Sequence, residues 1–429
     1  MANQTLKSLS HQIIYQVYPR NYSEAGTLNA VTQDLPRIKD LGVDIVYLLP
    51  IHPIGKVARK GDLGSPYSIQ DFRAVNPELG TKEDLKQLLN QAHDLGLKVM
   101  MDIVFNHTSR DNPWMIKHPE YYYYRDGQFA NKIGDWSDIC DLDYNHRPLW
   151  DEMLDILKGW AEFGFDGYRC DVAPFVPIEF WQEARSVVNG LKPDFIWFSE
   201  SVHRSFLKGM RDEGFLCHSD AEMYQVFDVL YDYDIIHEAE AYWDGKKPLS
   251  AFIDQLNLQE VIYPANYIKA RSYENHDIPR LMKRTGSVDK TKNWVSAIFL
   301  LKGMAFLFNG IETLTYVLPN LFDKDPIPWH QLDATWVKEL KNLIHLKKRP
   351  IFTTYSTYTL KDVGLDIFHI TYKKDKETLV AVLNVGGVKD DVIVDLPDGE
   401  YANEFDSSLV RVSSGRVRIS NKPIIIHKM

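Results

Sequence analysis

The sequence predicts an α/β fold: a (β/α)8 TIM barrel with a short inserted domain after its third strand, followed by a C-terminal antiparallel β-sandwich domain. Three observations carry this. Short runs rich in Val, Ile and Tyr alternate with longer segments of helical spacing. One long segment, 107–145, interrupts the alternation without a helical period, and beyond about 350 the helical period gives way to turn-punctuated strands.

Eight strand candidates fall at 13–18, 43–48, 97–104, 167–171, 195–199, 222–227, 267–273 and 304–308. Between them, "TKEDLKQLLNQAHDLG" opens on an N-cap Thr81, has acidic residues in its first turn and stops at Gly96, the signature of a helix. "PLWDEMLDILKGWAEFG" reads the same way. A doubly wound open sheet is the competing architecture, but no GxGxxG follows a first strand. The expected division is a barrel from 1–106 and 146–349, an inserted domain at 107–145, and a C-terminal domain at 350–429 with turns such as "PDGE" and "SSGR".

Lys plus Arg number 49 against 59 Asp plus Glu, a net charge of −10, which argues against a nucleic-acid backbone as partner. The apolar run "AIFLLKGMAFLF" is broken by Lys302 and Gly303 and is too short for a bilayer, so no membrane partner is expected. Cys140, Cys170 and Cys217 are odd in number and far apart, which disfavours a disulfide framework and a zinc site. The N-terminal stretch lacks an apolar signal region, and a cytoplasmic location is the expectation. Oligomeric state is not legible.

The end of the fourth strand, "YRCD", puts Arg169 and Asp171 on one face because side chains alternate with period two. Alone, that pair reads equally as a buried ion pair. Three other strands, however, end in comparable groups: Asp102, Asn106 and His107 after the third, Glu200 after the fifth, and Asn275, His276 and Asp277 after the seventh. Gathering ionisable groups at the C-terminal face of a barrel costs desolvation energy and marks a site. Glycosidic cleavage needs such a cluster, with one carboxylate as nucleophile and one carboxylic acid to protonate the leaving oxygen. Asp171 and Glu200 fit those roles, with Arg169 holding Asp171 ionised. Glu200 must then rise from about 4.3 to roughly 6–7, a cost of about 3 kcal/mol, and the anions Asp171 and Asp277 push it that way.

"DIVFNH" (102–107), "GFDGYRCDV" (164–172), "FSES" (198–201) and "ENHD" (274–277) occur in order with barrel spacing, framed by "LGSPYSIQDFRAVNPELGT" and "FLFNGIE". In these segments the chain resembles the alpha-amylase family, glycoside hydrolase family 13, over essentially its whole length. The resemblance implies Asp171 as nucleophile, Glu200 as acid and then base, and Asp277 as transition-state stabiliser. It also implies Arg169, His107 and His276 as groups holding the nucleophile and sugar hydroxyls, and Tyr67 as a platform beneath the sugar ring.

The departures from that pattern are specific. Many calcium-dependent members carry Lys-His three residues after the nucleophile, where this chain has Pro174 and Phe175. The usual calcium site therefore looks degenerate and no cofactor is required, but Asn106 matches one calcium ligand of the family and several Asp residues lie in the insertion, which leaves calcium at a weak or altered site as the alternative. Ser68 follows Tyr67 where exo-acting glucosidases have Asp, which weakens a strict exo-glucosidase reading. Val172 resembles members that cleave α-1,6 as well as α-1,4 linkages. The expectation is a retaining hydrolase of α-1,4-glucosidic bonds in maltodextrin-type oligosaccharides. The alternatives are a glucanotransferase or α-1,6-acting oligosaccharide glucosidase using the same site and, more remotely, a non-catalytic sugar-binding homologue.

Overall fold

A computed structural model describes residues 5–429. Eight parallel strands close into a barrel in chain order: β1 Ile13–Val17, β2 Ile45–Leu48, β3 Lys98–Ile103, β4 Gly167–Cys170, β5 Ile196–Ser199, β6 Val229–Tyr231, β7 Lys269–Arg271 and β8 Met304–Phe308. Strands buried on both faces read as continuous apolar runs, which is why these segments stand out in the sequence. The interior is filled by Ile14, Tyr47, Met100, Phe198, Tyr231 and Phe306, a packed core rather than a pore. At the start of β4 a Cβ on Gly167 would meet the Ile196 carbonyl oxygen at 2.9 Å, so only glycine lets β4 and β5 close up there.

The helices form for the reasons read in the sequence. Helix Lys82–Asp94 opens on a reciprocal capping box between Thr81 and Asp84 and buries Leu85, Leu88, Leu89 and Ala92. Helix Arg147–Phe163 has Pro in its first turn and Gly164 just beyond its end.

One strand differs from expectation. The segment 222–227 is not β6, which is Val229–Tyr231. Ser219 and Glu222 form a second capping box that opens a short helix at Asp220–Met223, so the β-branched and aromatic residues after it serve a helical turn. The strand begins only past Asp228, whose backbone N–H donates to the Trp197 carbonyl on β5. All three cysteines are free, buried thiols.

Between β3 and helix Arg147–Phe163 the chain makes an antiparallel pair, His107–Ser109 with Ile139–Asp141, and a small hairpin from Tyr124–Arg125 and Gln128–Phe129. A single helical turn, Trp114–Lys117, also lies here, too short to leave a period in the sequence. After a last helical turn at Ile351–Thr354, two four-stranded antiparallel sheets follow. The first is Thr357–Asp362, Ile367–Lys374, Glu377–Asn384 and Ile424–Lys428; the second is Asp391–Ile393, Arg416–Arg418, Leu409–Ser413 and Gly399–Ala402. Among the described residues no helix is long and apolar enough to cross a membrane.

Candidate active site

The acidic groups meet above the aromatic floor made by Tyr47, Phe198, Tyr231 and Phe306. Register pairs Asp102 on β3 with Arg169 on β4, and Arg169 lies in turn beside Phe198 on β5. Arg169 is fully buried. Its Nη1 donates to Asp102 Oδ1 at 2.9 Å and to Asp171 Oδ1 at 2.9 Å. Its Nη2 lies 2.7 Å from Glu200 Oε1, an ion contact whose angles fall short of a hydrogen bond. One guanidinium thus faces three carboxylates.

Glu200 Oε2 accepts the Val172 backbone N–H at 2.7 Å. That N–H is aimed by a left-handed backbone at Val172 (φ 32°, ψ 41°), a conformation strained for a β-branched residue. Burial pushes the Glu200 carboxyl up to about 8, with Asp171 and Asp277 adding to the rise against Arg169. This is further than the 6–7 expected from the sequence. Burial also pushes Asp171 up, to about 7, and here the sequence expectation is corrected. Arg169 does favour the Asp171 carboxylate, but it is divided among three acids, and burial and Asp102 outweigh it.

Asp277 is deep in the molecule, yet its carboxylate opens onto the cleft with a side-chain exposure of 47%. His276, 3.0 Å away, and then Arg169 hold its carboxyl below the ordinary range despite that burial. Gln16 on β1 holds the His276 ring, its amide nitrogen 3.0 Å from Nδ1. Tyr67 donates to Asp102 Oδ2 at 3.0 Å, lies 2.6 Å from His276 Nε2, and stacks on that ring at 5.3 Å. His107 is buried, which pushes its ring below the usual histidine value; its Nε2 lies 3.2 Å from the Tyr67 carbonyl.

Two connected chambers adjoin these groups and share Trp136, Val172, Glu200 and Asp277. One, about 300 Å3, also has Tyr67, His107 and Asp171 in its wall; the other, about 370 Å3, has His203, Tyr233 and His237. A larger cavity of about 610 Å3 lies around Tyr122, Tyr123 and His146. It touches none of the converging acids, so size alone is a poor guide to the chemistry here.

The description of the alpha-amylase catalytic domain matches residues 16–136 and 132–318, and that of a bacterial alpha-amylase C-terminal domain matches 359–426. The chain belongs to the alpha-amylase family. Over 99% of its length it superposes on all of an alpha-amylase from Lactobacillus plantarum, at 42% identity and a TM-score of 0.95. Over 98% it superposes on 99% of the noncanonic maltogenic alpha-amylase AmyB from Thermotoga neapolitana, at 30% identity and a TM-score of 0.87. Among curated relatives, the alpha-amylase MalA of Haloarcula japonica is 25% identical across 94% of this chain, which spans 59% of that protein. An alpha-1,4-glucan:maltose-1-phosphate maltosyltransferase of Pseudomonas aeruginosa is 33% identical over 44% of this chain and 32% of its own length.

The family's calcium chemistry meets a different arrangement in this chain. The Asn106 amide donates to Asp141 Oδ1 at 3.1 Å, and the Lys132 backbone N–H takes Asp141 Oδ2 at 2.8 Å. Both Asp141 carboxylate oxygens are thereby engaged by protein N–H groups. Among the described residues no group of three or more His, Cys, Asp or Glu is placed to hold a metal ion.

Several groups at the site escaped the sequence reading. Gln16 was visible as a polar residue inside the apolar "IIYQV" run of β1. Trp136, Lys60 and Phe322 come from three separate loops, and no local pattern marks them as neighbours.

Proposed function

We propose that this chain is a retaining glycosidase that cleaves α-1,4-glucosidic bonds of maltodextrin-type oligosaccharides. The observation that carries this is the pairing of Asp171 and Glu200 on one guanidinium, with both carboxyls pushed upward by burial. Two carboxyl groups drawn together on one side chain suit the close spacing of a nucleophile and acid pair better than the wide gap that must admit water. Asp171 attacks the anomeric carbon as Glu200 gives its proton to the leaving oxygen. Glu200, now a carboxylate, then takes a proton from the water that opens the glycosyl–Asp171 ester, and both residues return to their starting states. Asp277, open to the cleft, stabilises the positive charge that builds on the sugar ring.

Transfer to a sugar instead of water is the second reading. The chamber beyond Glu200 supports it, because His203 stacks on His237 at 4.1 Å and on Tyr233 at 5.5 Å, a platform for an acceptor ring. The maltosyltransferase relative is consistent with that reading. On this reading catalysis proceeds without a metal, because Pro174 and Phe175 stand where calcium-dependent members carry Lys-His.

The test is a product time course on maltotriose to maltoheptaose with EDTA present. Shorter sugars alone are expected; longer ones would establish transfer, and loss of turnover in EDTA would overturn the metal-free assignment. Glu200→Gln should lower kcat by about 10²–10⁴-fold and Asp171→Asn by several orders of magnitude. Near wild-type rates in either would remove the assigned roles.

A further inference from the structure

The chemistry fixes which chamber holds which part of the substrate. The glycone is the sugar whose anomeric carbon bonds Asp171, so it occupies the chamber walled by Asp171, Tyr67 and His107. The leaving group takes the proton from Glu200 and departs on the other side, where Glu200 is present and Asp171 is not. The chain continues from the glycone toward its non-reducing end, so the far wall of the first chamber decides how much chain can follow.

That wall is a clasp of three loops. Lys60, in the loop after β2, donates to the Asp135 carbonyl at 2.9 Å and pairs with Asp138 at 3.2 Å, both in the insertion. Next to it, the Asp62 N–H donates to Asp323 Oδ1 at 2.7 Å and the Leu63 N–H to the Phe322 carbonyl at 3.2 Å, tying the same loop to the one after β8. The approach at Gly61 is so close that an added Cβ would stand 2.7 Å from Phe322 Cβ. Beneath the clasp, buried Arg20 donates to the carbonyls of Gly64 (2.8 Å) and Leu321 (3.4 Å), bracing both loops from one guanidinium. Lys60, Leu321, Phe322 and Asp138 all line the chamber, so the clasp forms part of its wall.

We infer that the clasp closes the glycone side to a continuing chain, so that the enzyme works from the non-reducing end of α-glucan oligosaccharides and releases about one or two glucosyl units per cut. This rests on the hydrolase reading above and adds the substrate end to it. A chamber of about 300 Å3 sits at the bottom of the range of small-ligand sites, roughly 300–1,000 Å3. Ser68 takes no part in the wall; its hydroxyl donates to the Asp138 carbonyl at 3.0 Å and supports the insertion. End-wise action here is therefore built from Lys60, Phe322 and Asp138 rather than from the position after Tyr67.

The experiment compares maltoheptaose labelled at its reducing end with the same sugar capped at its non-reducing end by a 4,6-ethylidene acetal. The uncapped sugar should lose one or two units at a time, and the capped one should turn over about 100-fold more slowly. Comparable internal cleavage of both sugars overturns the clasp inference and leaves the hydrolase reading standing. No cleavage of either sugar overturns the hydrolase reading, and this inference falls with it. In the double variant Lys60→Ala, Asp323→Ala, which loosens the clasp and leaves Arg20 in place, the capped-to-uncapped rate ratio should rise about tenfold or more. An unchanged ratio in a folded variant counts against the wall.

Discussion

Glu200 holds the proton on which the proposed chemistry depends, and the cost of holding it falls on the fold. An exposed glutamic acid loses its proton near 4.5, whereas burial keeps Glu200 protonated to about 8. Between those values the native state binds a proton that the unfolded chain has released, so stability falls as pH rises through that window. The loss is on the order of a few kcal/mol at 1.36 kcal/mol per pKa unit. Glu200→Gln removes the titration. Its melting temperature should exceed that of the parent protein little at pH 5 and more at pH 8, with the difference levelling above that. In the parent protein, activity should fall above about pH 8 as the Glu200 proton is lost, and below about pH 7 as Asp171 is neutralised. A constant difference in melting temperature from pH 5 to 9 would mean that Glu200 is ionised throughout. At this scale the sequence was a good guide: Asp102, Arg169, Asp171, Glu200, His276 and Asp277 stand at strand ends, where a barrel must converge them. It did not show that Arg169 would be divided three ways, because the sharing depends on angles among β3, β4 and β5 that no spacing encodes.

The turn that follows β4 does two jobs with one strained residue. Val172 keeps a left-handed backbone, at roughly 1–3 kcal/mol, and its N–H reaches Glu200. Its side chain is held among Phe175, Val202 and Trp136, so packing offsets the strain. Val172→Gly removes both the strain and the packing, each worth roughly 1–3 kcal/mol, and overall stability should change little. The freed peptide should hold Glu200 less firmly. The expected signature is a lower kcat with the alkaline limb of the pH profile moved upward, since an N–H bond favours the carboxylate. A profile identical to the parent's would reduce Val172 to a packing residue. Helices were legible where caps and period agreed, as at Thr81 and Asp84. The sixth strand was misplaced because "EMYQVF" is rich in strand-favouring side chains while Ser219 and Glu222, just before and within it, cap a helix. Two local signals overlapped, and the capping box prevailed because it satisfies backbone donors that the strand reading leaves open.

On the scale of the whole chain, the barrel's outer helical layer is completed by the C-terminal domain. Helix Val288–Leu300, which leads into β8, is buried along nearly all of its length, since the first C-terminal sheet covers the face that a lone barrel would leave wet. Trp294 packs edge-on to Phe368 at 5.1 Å, the Tyr372 hydroxyl donates to the Leu300 carbonyl at 2.9 Å, and the Asn384 N–H donates to Asn293 Oδ1 at 2.8 Å. Leu360, Phe368 and Ile370 belong to the same apolar core as Leu340 and Trp336 of the barrel's outer layer. The sequence marked where strands replace helices near 350, but a shared core is a contact between distant segments and leaves no periodic trace. Phe368 is fully buried, and Phe368→Ala should cost about 3–5 kcal/mol. If the two parts unfold as one body, that substitution lowers the temperature at which activity on maltooligosaccharides is lost by as much as it lowers the unfolding of the C-terminal strands. Intrinsic fluorescence, to which Trp294 contributes, should report the same single transition. Retention of activity up to the parent's inactivation temperature, with an early second transition confined to the β domain, would show instead that the barrel stands without its neighbour.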